Sequence, residues 1–476
     1  MAILLAAMAV AAILYFRAPW LAEDDAFITF RYAANARAGH GLVYNVGERV
    51  CGVSTPLYLL AVTAVSSIFR TVPIDELALR FNFAALIAIG IFTYLLIFRV
   101  VGYSALSAII AGAMMLDARM LTHALDGMES TWFLALIMAS LWAIELQRPA
   151  LIGVFCGLAA LTRPEGLLLL PIAAFELRRA PRNVAICLGV ALAILAPWLI
   201  FATIYYGSPI PESVIAKSKP LYPLPMWHAF HKMMFNLGAY WWLLVAIGSA
   251  VVIVGPKAAR AAVVFFWASF IFYVASNPLM MPWYYPPFRA LGLIVLAIAV
   301  CRLGRRSKLD PARTEQSITA WSTMAIALSV LLPYDFRSLQ ERVETPERQR
   351  ILAYRDAAKI VSAAAAPGDV LAAPEIGAIG YYYAGPILDG CGLVSPQALP
   401  YLPVPAGERL GPDVGTLPPR LVRQELPAWV ITIPCFIRGG LLDSQWFSEH
   451  YAINDAVALP VEAWGERGVL VFRRKP

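Results

Sequence analysis

The chain has 476 residues, of which 60% are apolar and only 14% are charged, and its net charge at neutral pH is +7. Its mean hydropathy is +0.67, whereas ordinary soluble domains are about half apolar and about a quarter charged. A soluble fold of this length could not withdraw so much apolar surface from water. The composition therefore predicts an α-helical membrane protein with many spans. It excludes a cytosolic enzyme, a nucleic-acid binder and a disordered scaffold.

Apolar runs that could enter a membrane recur through residues 1–334. We expect about eleven transmembrane helices, approximately at 1–16, 79–98, 104–118, 130–146, 150–162, 166–177, 183–206, 236–255, 261–276, 286–302 and 317–334. Several runs are shorter than the roughly 20 residues that cross the hydrocarbon, so their ends should extend into the flanking sequence. The first run has no basic n-region and no clear cleavage site, which favours a retained span over a removed signal peptide.

Residues 56–69 form an apolar run of only 14 residues, a length typical of an interfacial or re-entrant helix. If this run does not cross, one set of loops holds 12 Lys or Arg and two acids, and the opposite set holds 10 of each. The positive-inside rule then assigns the first set to the cytoplasm. If the run crossed, every later loop would change sides. We therefore expect residues 17–78, and the C-terminal region as well, to lie outside the cytoplasm.

Residues 335–476 are predicted to form a small extracytoplasmic α/β domain, separate from the transmembrane domain at 1–334. Its first helix is expected at 347–366, and strand-like runs lie at 369–374, 428–433 and 468–473, with 386–394 as a further candidate. Pro and Gly between these runs indicate long loops. This region carries no nucleophile elbow, phosphate-binding loop or dinucleotide fingerprint.

The six cysteines show no CxxC and no Cys–His spacing, so a zinc site is not expected. Three of them fall inside apolar spans, where a small buried hydrophobe is the ordinary role. Cys391 and Cys435 lie in the C-terminal domain and could pair if that domain is outside the cytoplasm. The sequence leaves this open.

The first loop opens with three acids, Glu23, Asp24 and Asp25, ahead of an amphipathic stretch that ends near Gly39. One interpretation is that Asp24 or Asp25 caps the N-terminus of this helix. A cap needs only one side chain, and acids close to a membrane are costly and usually have a task. The acidic group is therefore an equally good candidate for a functional site.

The second outer loop carries His123, Asp126 and Glu129 within seven residues, just before the run at 130–146. One interpretation is that Glu129 or Ser130 caps the following helix and that His123 is merely interfacial. The alternative is that this loop folds beneath the first loop and supplies acids or a hydrogen-bond donor to a shared cavity.

Arg163 and Glu165 lie between two short spans, in a stretch where Pro and Gly break the helices. An arginine at this depth is expensive without an anionic partner. An internal pair with Glu165 or an aspartate would satisfy it. A bound phosphate would do so equally well, because the guanidinium fork matches phosphate oxygens.

Lys217 in the loop 207–235, and Tyr284, Tyr285 and Arg289 further on, are candidates to bind a phosphate headgroup or a sugar ring. Aromatic residues in such loops also form the interfacial belt of membrane proteins. His228 and His231 have the i, i+3 spacing of a metal pair. No third ligand is visible in the sequence, so interfacial histidines are favoured over a metal site.

Residues 24–57 resemble the first-loop signature of polyprenyl-phosphate-sugar-dependent glycosyltransferases of the GT-C superfamily, and they are similar to the terminal arabinofuranosyltransferases of mycobacterial cell-wall arabinan. The shared features are the pair Asp24-Asp25, an aromatic-rich amphipathic helix, and the GHGLV and GERV motifs within 39–50. The stretches DGMEST at 126–131 and LTRPEG at 161–166 resemble two later segments of the family. The stretch at 51–57 departs from the family pattern by lacking its acid and its aromatic residue.

The resemblance implies transfer of a sugar, with arabinofuranose as one candidate, from a polyprenyl-phosphate donor to a glycan or glycolipid outside a bacterial plasma membrane. It implies Asp24 or Asp25 as general base, with inversion at the anomeric carbon. Arg163, Tyr284, Tyr285, Lys217 and Arg289 would bind the phosphate, and His40, Glu48 and Glu129 would position the sugar or the loop. No cofactor is certain from the sequence, and a divalent metal stays open.

The alternative interpretation is a transporter or flippase of lipid-linked sugars. Transporters tend to show paired repeats and ionisable residues near the middle of the bilayer. In this sequence neither feature is clear, and the acids of the membrane part collect in loops on one side. An O-antigen-like polymerase or ligase is a second alternative, but such enzymes usually depend on a large outer loop late in the chain.

Overall fold

The structure is a computed structural model, and it describes residues 2–19, 22–219, 223–306, 345–411 and 414–476. The chain divides into two compact units. The first comprises Met1–Trp20, Leu79–Trp198 and Met226–Gln340, and the second comprises Leu21–Ala78, Leu199–Pro225 and Glu341–Pro476. The predicted span at 317–334 and the predicted domain boundary after residue 334 lie outside the described residues.

Helices make up the first unit, and two of them extend into segments of the second, at 74–78 and 199–206. The helices are α1 (Ala2–Arg17), α4 (Ile74–Val101), α5 (Ser104–Leu116), α6 (Ala118–Ala124), α7 (Ser130–Leu146), α8 (Pro149–Thr162), α9 (Leu169–Leu177), α10 (Pro181–Tyr206), α12 (His228–Leu237), α13 (Ala239–Val252), α14 (Lys257–Ser276) and α15 (Pro286–Arg306). Short 3-10 turns occupy Pro164–Leu168 and Pro282–Tyr284. Ten of the eleven predicted apolar runs lie in the described residues, and a helix coincides with each of them.

The described residues contain four helices that are long and apolar enough to cross a membrane, at Ile74–Val101, Pro181–Tyr206, Lys257–Ser276 and Pro282–Gly304. The number rises to six if two bent pairs each form one span. These pairs are α5 with α6, bent by 57°, and α12 with α13, bent by 89°. The chain is thus a multi-pass membrane protein, and the expected total of eleven spans stays a prediction.

The bend between α5 and α6 has a local cause. Asp117 adopts an extended conformation at the junction, and its Oδ1 accepts hydrogen bonds from the backbone N–H groups of Arg119 and Met120. This is the geometry of a helix N-cap, which starts a new helix in a new direction.

Two glycines let α8 pack closely on α10. A Cβ at Gly153 would lie 2.4 Å from the carbonyl oxygen of Cys187, and a Cβ at Gly157 would lie 3.2 Å from that of Ala191. Small residues spaced by four positions are a common means of close helix packing in membranes.

The second unit combines three segments of the chain. Its N-terminal and middle segments provide α2 (Asp24–Arg37), α3 (Pro56–Ile68) and α11 (Glu212–Lys217). Helix α3 has 13 residues and is about 20 Å long, against roughly 30 Å for the hydrocarbon core. That the run near residue 60 does not cross the bilayer stays a prediction.

The C-terminal segment is an α/β domain. It contains α16 (Pro346–Ala364), β1 (Leu371–Ala373), α17 (Gly377–Tyr382), β2 (Ile387–Asp389), α18 (Pro419–Glu425), β3 (Trp429–Thr432), α19 (Gln445–His450), β4 (Tyr451–Ala463) and β5 (Glu466–Arg474), with 3-10 turns at Pro396–Tyr401, Ala406–Glu408 and Pro434–Phe436. The strand order is β2-β1-β3-β5-β4. The first three strands are parallel, and β5 runs antiparallel to β3 and β4.

Apolar side chains from both the strands and the helices form the core of this domain; they include Leu388, Val430, Leu421, Phe447 and Phe472. The predicted helix and the four strand-like runs each correspond to an observed element. Strand β4 was missed because most of its residues are exposed, so it lacks the apolar pattern of a buried strand.

Candidate functional site

Helix α2 in the second unit begins with Asp24 and Asp25, and the two carboxylates have different roles. The N-cap residue of α2 is Glu23, whose side chain makes no capping hydrogen bond. The carboxylate of Asp24 instead accepts hydrogen bonds from the backbone N–H groups of Gly377 at 3.0 Å and Ala378 at 2.9 Å. Asp24 therefore caps a different helix, α17, whose first N–H groups have no partner within their own helix.

Arg31 binds the opposite end of α17. Its guanidinium is 5% exposed and donates to the carbonyl oxygens of Gly380, Tyr383 at 3.0 Å and Gly385 at 2.7 Å. Seven residues separate Asp24 from Arg31, which places them two turns, about 10.5 Å, apart on one face of α2. An anion thus lies at the N-terminus of α17 and a cation lies at its C-terminus, and both charges favour the helix dipole.

The contact between α2 and α17 depends on glycine. A Cβ at Gly377 would lie 1.8 Å from the carbonyl oxygen of Asp24, and a Cβ at Gly380 would lie 1.7 Å from the hydroxyl oxygen of Tyr44. That hydroxyl donates to the carbonyl oxygen of Ile376 at 2.5 Å. No other residue type fits at either position without displacing backbone or a buried ring.

Asn45 connects the turn after α2 to the sheet through hydrogen bonds. Its side-chain amide donates to the carbonyl oxygen of Ile387 at 2.9 Å and accepts from the N–H of the same residue at 3.0 Å. Ile387 begins β2, the edge strand, so Asn45 satisfies backbone groups that a further strand would otherwise take. Asn45 also donates to Glu48 at 3.0 Å. Glu48 and His40, both predicted to contact substrate, are exposed on this turn.

Asp25 is half-buried and accepts no hydrogen bond from the described part of the chain. Burial raises its pKa, the positive charge of Lys217 lowers it, and the negative charge of Glu375 raises it. Lys217 is exposed at the end of α11. Burial and the nearby Glu375 together raise the pKa of Asp24 to about 7.

Two further acids of the second unit are held by protein groups. Glu375 accepts hydrogen bonds from Arg350 on one carboxylate oxygen and from the hydroxyl of Tyr354 on the other. Asp389 is fully buried, and its carboxylate accepts three backbone N–H groups, from Cys391, Leu393 and Val394. Burial raises the pKa of Asp389 to about 6. Among these four acids, Asp25 alone has an unoccupied carboxylate.

A second cluster lies in the first unit, around Arg163, which is 4% exposed. Its guanidinium lies 3.1 Å from Glu165 and 3.4 Å from Glu129, and it donates to the carbonyl oxygen of Trp283 at 3.0 Å. The hydroxyl of Tyr273 donates to Glu165. The cluster joins α8, the start of α7, α14 and the turn at Pro282–Tyr284.

This arrangement matches the internal ion pair that was one of the two interpretations of Arg163. The ring of Tyr284 stacks against the same guanidinium, with 4.8 Å between its centroid and the Cζ atom. Glu129 is the N-cap residue of α7, but its side chain makes no capping hydrogen bond. Its carboxylate pairs with Arg163 instead.

The remaining predicted residues of the first unit also have protein partners. His123 Nδ1 lies 3.1 Å from Asp126, which accepts the N–H of Met128 at 2.7 Å. Arg289 forms a two-point contact with Asp117, at 2.8 Å and 2.7 Å. The hydroxyl of Tyr285, a further predicted residue, accepts from Asn236 at 3.1 Å.

The described residues contain no group of three or more His, Cys, Asp or Glu side chains that could hold a metal ion. His228 and His231 lie on α12. Cys391 and Cys435 both fall in the described ranges, and they do not form a disulfide in this structure.

Sequence reasoning missed several residues of these clusters. Asp117 was read as the end of a span, whereas the kink after α5 makes it a cap and the partner of Arg289. The sequence alone does not distinguish Arg350, Glu375 and Asp389 from the ordinary charged residues of a soluble α/β domain. Only the fold brings them close to the acids of the first loop.

Comparison with known proteins identifies solved structures that have a similar fold. Residues 341–472 match a family described as a domain of unknown function, DUF8728. No curated protein sequence matches the chain. The crystal structure of ArnT from Cupriavidus metallidurans in the apo state is similar over 98% of this chain and 97% of that one, with a TM-score of 0.59 at 15% identity.

A second ArnT structure, bound to undecaprenyl phosphate, gives a TM-score of 0.58 at 13% identity, over 98% of this chain and 97% of that one. The chain has the GT-C fold. The arabinofuranosyltransferase AftD from Mycobacteria is also similar, with a TM-score of 0.54 at 14% identity, over 99% of this chain but 41% of AftD. The GT-C fold expected from the first-loop motifs is thus confirmed.

Gly377→Ala should destabilise the second unit, because the new Cβ would overlap the backbone of Asp24 and separate α2 from α17. Overpacking of this kind costs about 1–3 kcal/mol or more. Thermal unfolding in detergent should show a lower midpoint. Gly407→Ala is the matched control, since a Cβ there meets no atom within 4 Å. Equal midpoints for the two variants would contradict this role of Gly377.

Arg163→Met should destabilise the first unit, because it leaves Glu129 and Glu165 buried without a cation. Removing one partner from a buried pair costs about 3–5 kcal/mol. The comparison is Arg178→Met. Within the described part of the chain, the polar and ring contacts of Arg178 are with its neighbour Phe175 and the carbonyl of that residue. Unfolding midpoints measured in detergent should fall for the first variant only, and a stable Arg163→Met protein would sink this interpretation.

Proposed function

We propose that the chain is a membrane glycosyltransferase that moves a sugar from a polyprenyl-phosphate donor to a hydroxyl of an extracytoplasmic glycan or glycolipid, with inversion of the anomeric carbon. The observation that carries this proposal is the half-buried carboxylate of Asp25, which accepts no hydrogen bond from the described residues and is influenced by the positive charge of Lys217. A general base and a cation for a phosphate are the two groups that this reaction needs most.

Asp25 is the better candidate for the base than Asp24. Both oxygens of Asp24 are occupied by backbone N–H groups of α17, so proton transfer to Asp24 would weaken the cap. Asp25 is half-buried, holds no hydrogen bond in the described residues and stays reachable by an acceptor hydroxyl. Burial raises its pKa, which increases the basicity of the carboxylate.

In the proposed reaction, one bond to the anomeric carbon forms, one breaks, and one proton moves. The acceptor oxygen gives its proton to the Asp25 carboxylate and forms a bond to the anomeric carbon. The bond between that carbon and the phosphate oxygen breaks, and its electron pair leaves on the phosphate. The charge of Lys217 stabilises the developing phosphate anion, so no general acid is required.

The donor class follows from two considerations. No nucleotide sugars are found outside the plasma membrane, so a sugar must arrive on a lipid. The similar ArnT structure bound to undecaprenyl phosphate supports a polyprenyl phosphate as that lipid. The similarity to AftD makes arabinofuranose one candidate sugar. The charge distribution of the loops supports a bacterial plasma membrane with the second unit outside the cytoplasm.

The other predicted residues divide into two groups in this proposal. His40 and Glu48, exposed on the turn after α2, contact the sugar or the acceptor. The first-unit residues form the ion-pair clusters described above and hold loops in place; they are His123, Asp126, Glu129, Arg163, Glu165, Tyr284, Tyr285 and Arg289. Lys217 thereby becomes the main phosphate ligand.

Asp25→Asn should abolish sugar transfer, because an amide cannot accept the proton of the acceptor. Loss of a general base lowers the rate by about 10²–10⁴-fold. Purified protein would be offered a panel of polyprenyl-phosphate sugars, with transfer and hydrolysis followed by chromatography. Glu449→Gln, at an exposed helix position, is a matched control that should keep full activity. Near-normal transfer by Asp25→Asn would contradict the assignment.

The same assay separates the enzyme from the alternative, a flippase of lipid-linked sugars. A flippase reconstituted in vesicles would move the lipid-linked sugar across the bilayer and leave its glycosidic phosphate bond intact. The proposed enzyme would cleave that bond on one side. Translocation without cleavage would favour the flippase.

A further inference from the structure

The C-terminal domain carries a partly buried carboxylate, that of Glu375, to which no role has been assigned so far. Glu375 lies just before α17, two residues ahead of the Gly377 N–H that binds Asp24. Arg350 and Tyr354, both on α16, hold its two carboxylate oxygens. Arg350 also stacks on Trp464 of the β4–β5 hairpin, with its Cζ atom 4.6 Å from the ring centroid. Three elements of the domain thus converge on Glu375.

The charges of Glu375 and Arg350 affect the pKa values of Asp24 and Asp25 in the first loop. Glu375 and Arg350 act on Asp25 with opposite signs, and they act on Asp24 in the same way. Arg350 is only 7% exposed, so water does not compensate its charge. Besides Glu375, the carboxylate of Asp24 also acts on Arg350.

We infer that Glu375 is a positioning residue for the proposed glycosyl transfer: it holds Arg350 and the start of α17, and so keeps Asp24 on its cap and Asp25 unpaired. The inference rests on the proposed function, since it assigns the base to Asp25. It also gives the C-terminal domain a task, which is to complete the base site that the first loop begins.

The charges around Asp25 have opposite signs, so removing one or the other should shift the pKa of Asp25 in opposite directions. They come from Lys217 on α11, Glu375 ahead of α17, Arg350 on α16 and Asp24 on α2, with Asp389 and Cys391 in the turn after β2. The pKa of Asp25 is raised by Glu375 and lowered by Arg350. A base must be deprotonated to act, so the acid limb of the rate profile follows this pKa.

The experiment compares pH–rate profiles of the full-length protein with Glu375→Gln, Arg350→Met and the double variant. Glu375→Gln should lower kcat about tenfold or more and move the acid limb to lower pH. Arg350→Met should move the limb to higher pH. The double variant should return it towards the wild-type position, because both charges are gone. Glu375→Asp should restore most of kcat.

A matched pair in the same unit controls for general charge effects. Arg438 and Glu466 lie 2.7 Å apart, and Glu466→Gln should leave kcat and the acid limb unchanged. An unchanged limb in Glu375→Gln, or equal shifts in Glu375→Gln and Glu466→Gln, would overturn the inference.

Carbodiimide labelling of carboxylates, read by mass spectrometry, tests the inference without any activity. Asp24 should be protected in the wild type and labelled in Glu375→Gln. Continued protection of Asp24 in that variant would overturn the positioning role. If the wild type and Glu375→Gln differ in labelling of Asp24 but the wild type transfers no sugar, the proposed function fails while the positioning of Asp24 by Glu375 stands.

Discussion

One helix dipole organises the second unit. Helix α17 has only six residues, too few to be stable alone, and it is held at both ends by charges from α2. Asp24 binds its N-terminus and Arg31 binds its C-terminus. The spacing of these two charges along α2 matches the length of α17. The two helices can therefore pack with both charges satisfied in only one relative position. That alignment fixes the direction of Asp25, the residue next to the anion.

Buried charges are satisfied in two ways. Arg163 and Arg289 in the first unit, and Arg350 in the second, face carboxylates directly. Arg31 has carbonyl oxygens and Asp24 has N–H groups in place of ionic partners. Buried charges need such partners because desolvation is expensive. Of the four acids compared above, Asp25 alone accepts no hydrogen bond from the described residues, and an unsatisfied, partly buried carboxylate is a candidate for a functional site.

Much of the fold could be predicted from the sequence, because apolar runs and basic loop ends leave strong signals. The helices of the first unit and the strands β1, β3 and β5 are examples. The Asp24-Asp25 pair was found for the same reason, as three adjacent acids near a membrane are unusual. The sequence could not divide the roles of the two aspartates, since Asp24 depends on partners about 350 residues away.

Other features lay beyond sequence reasoning because they depend on tertiary contacts. A single acid at the end of a span, Asp117, gave no sign that it starts a new helix and pairs with Arg289. Gly377 and Gly380 belong to none of the sequence motifs, and only their distances to Asp24 and Tyr44 explain them. The edge pairing of Asn45 with Ile387 likewise joins residues from distant parts of the chain.

The most direct measurement is an experimental structure of the full-length protein with a bound polyprenyl monophosphate. The account predicts density for the phosphate within hydrogen-bond reach of Lys217, with the carboxylate of Asp25 open towards the position of the anomeric carbon and Asp24 still on the N-terminus of α17. Phosphate density on Arg163, with its carboxylate partners displaced and Asp25 held by a protein donor, would contradict the account.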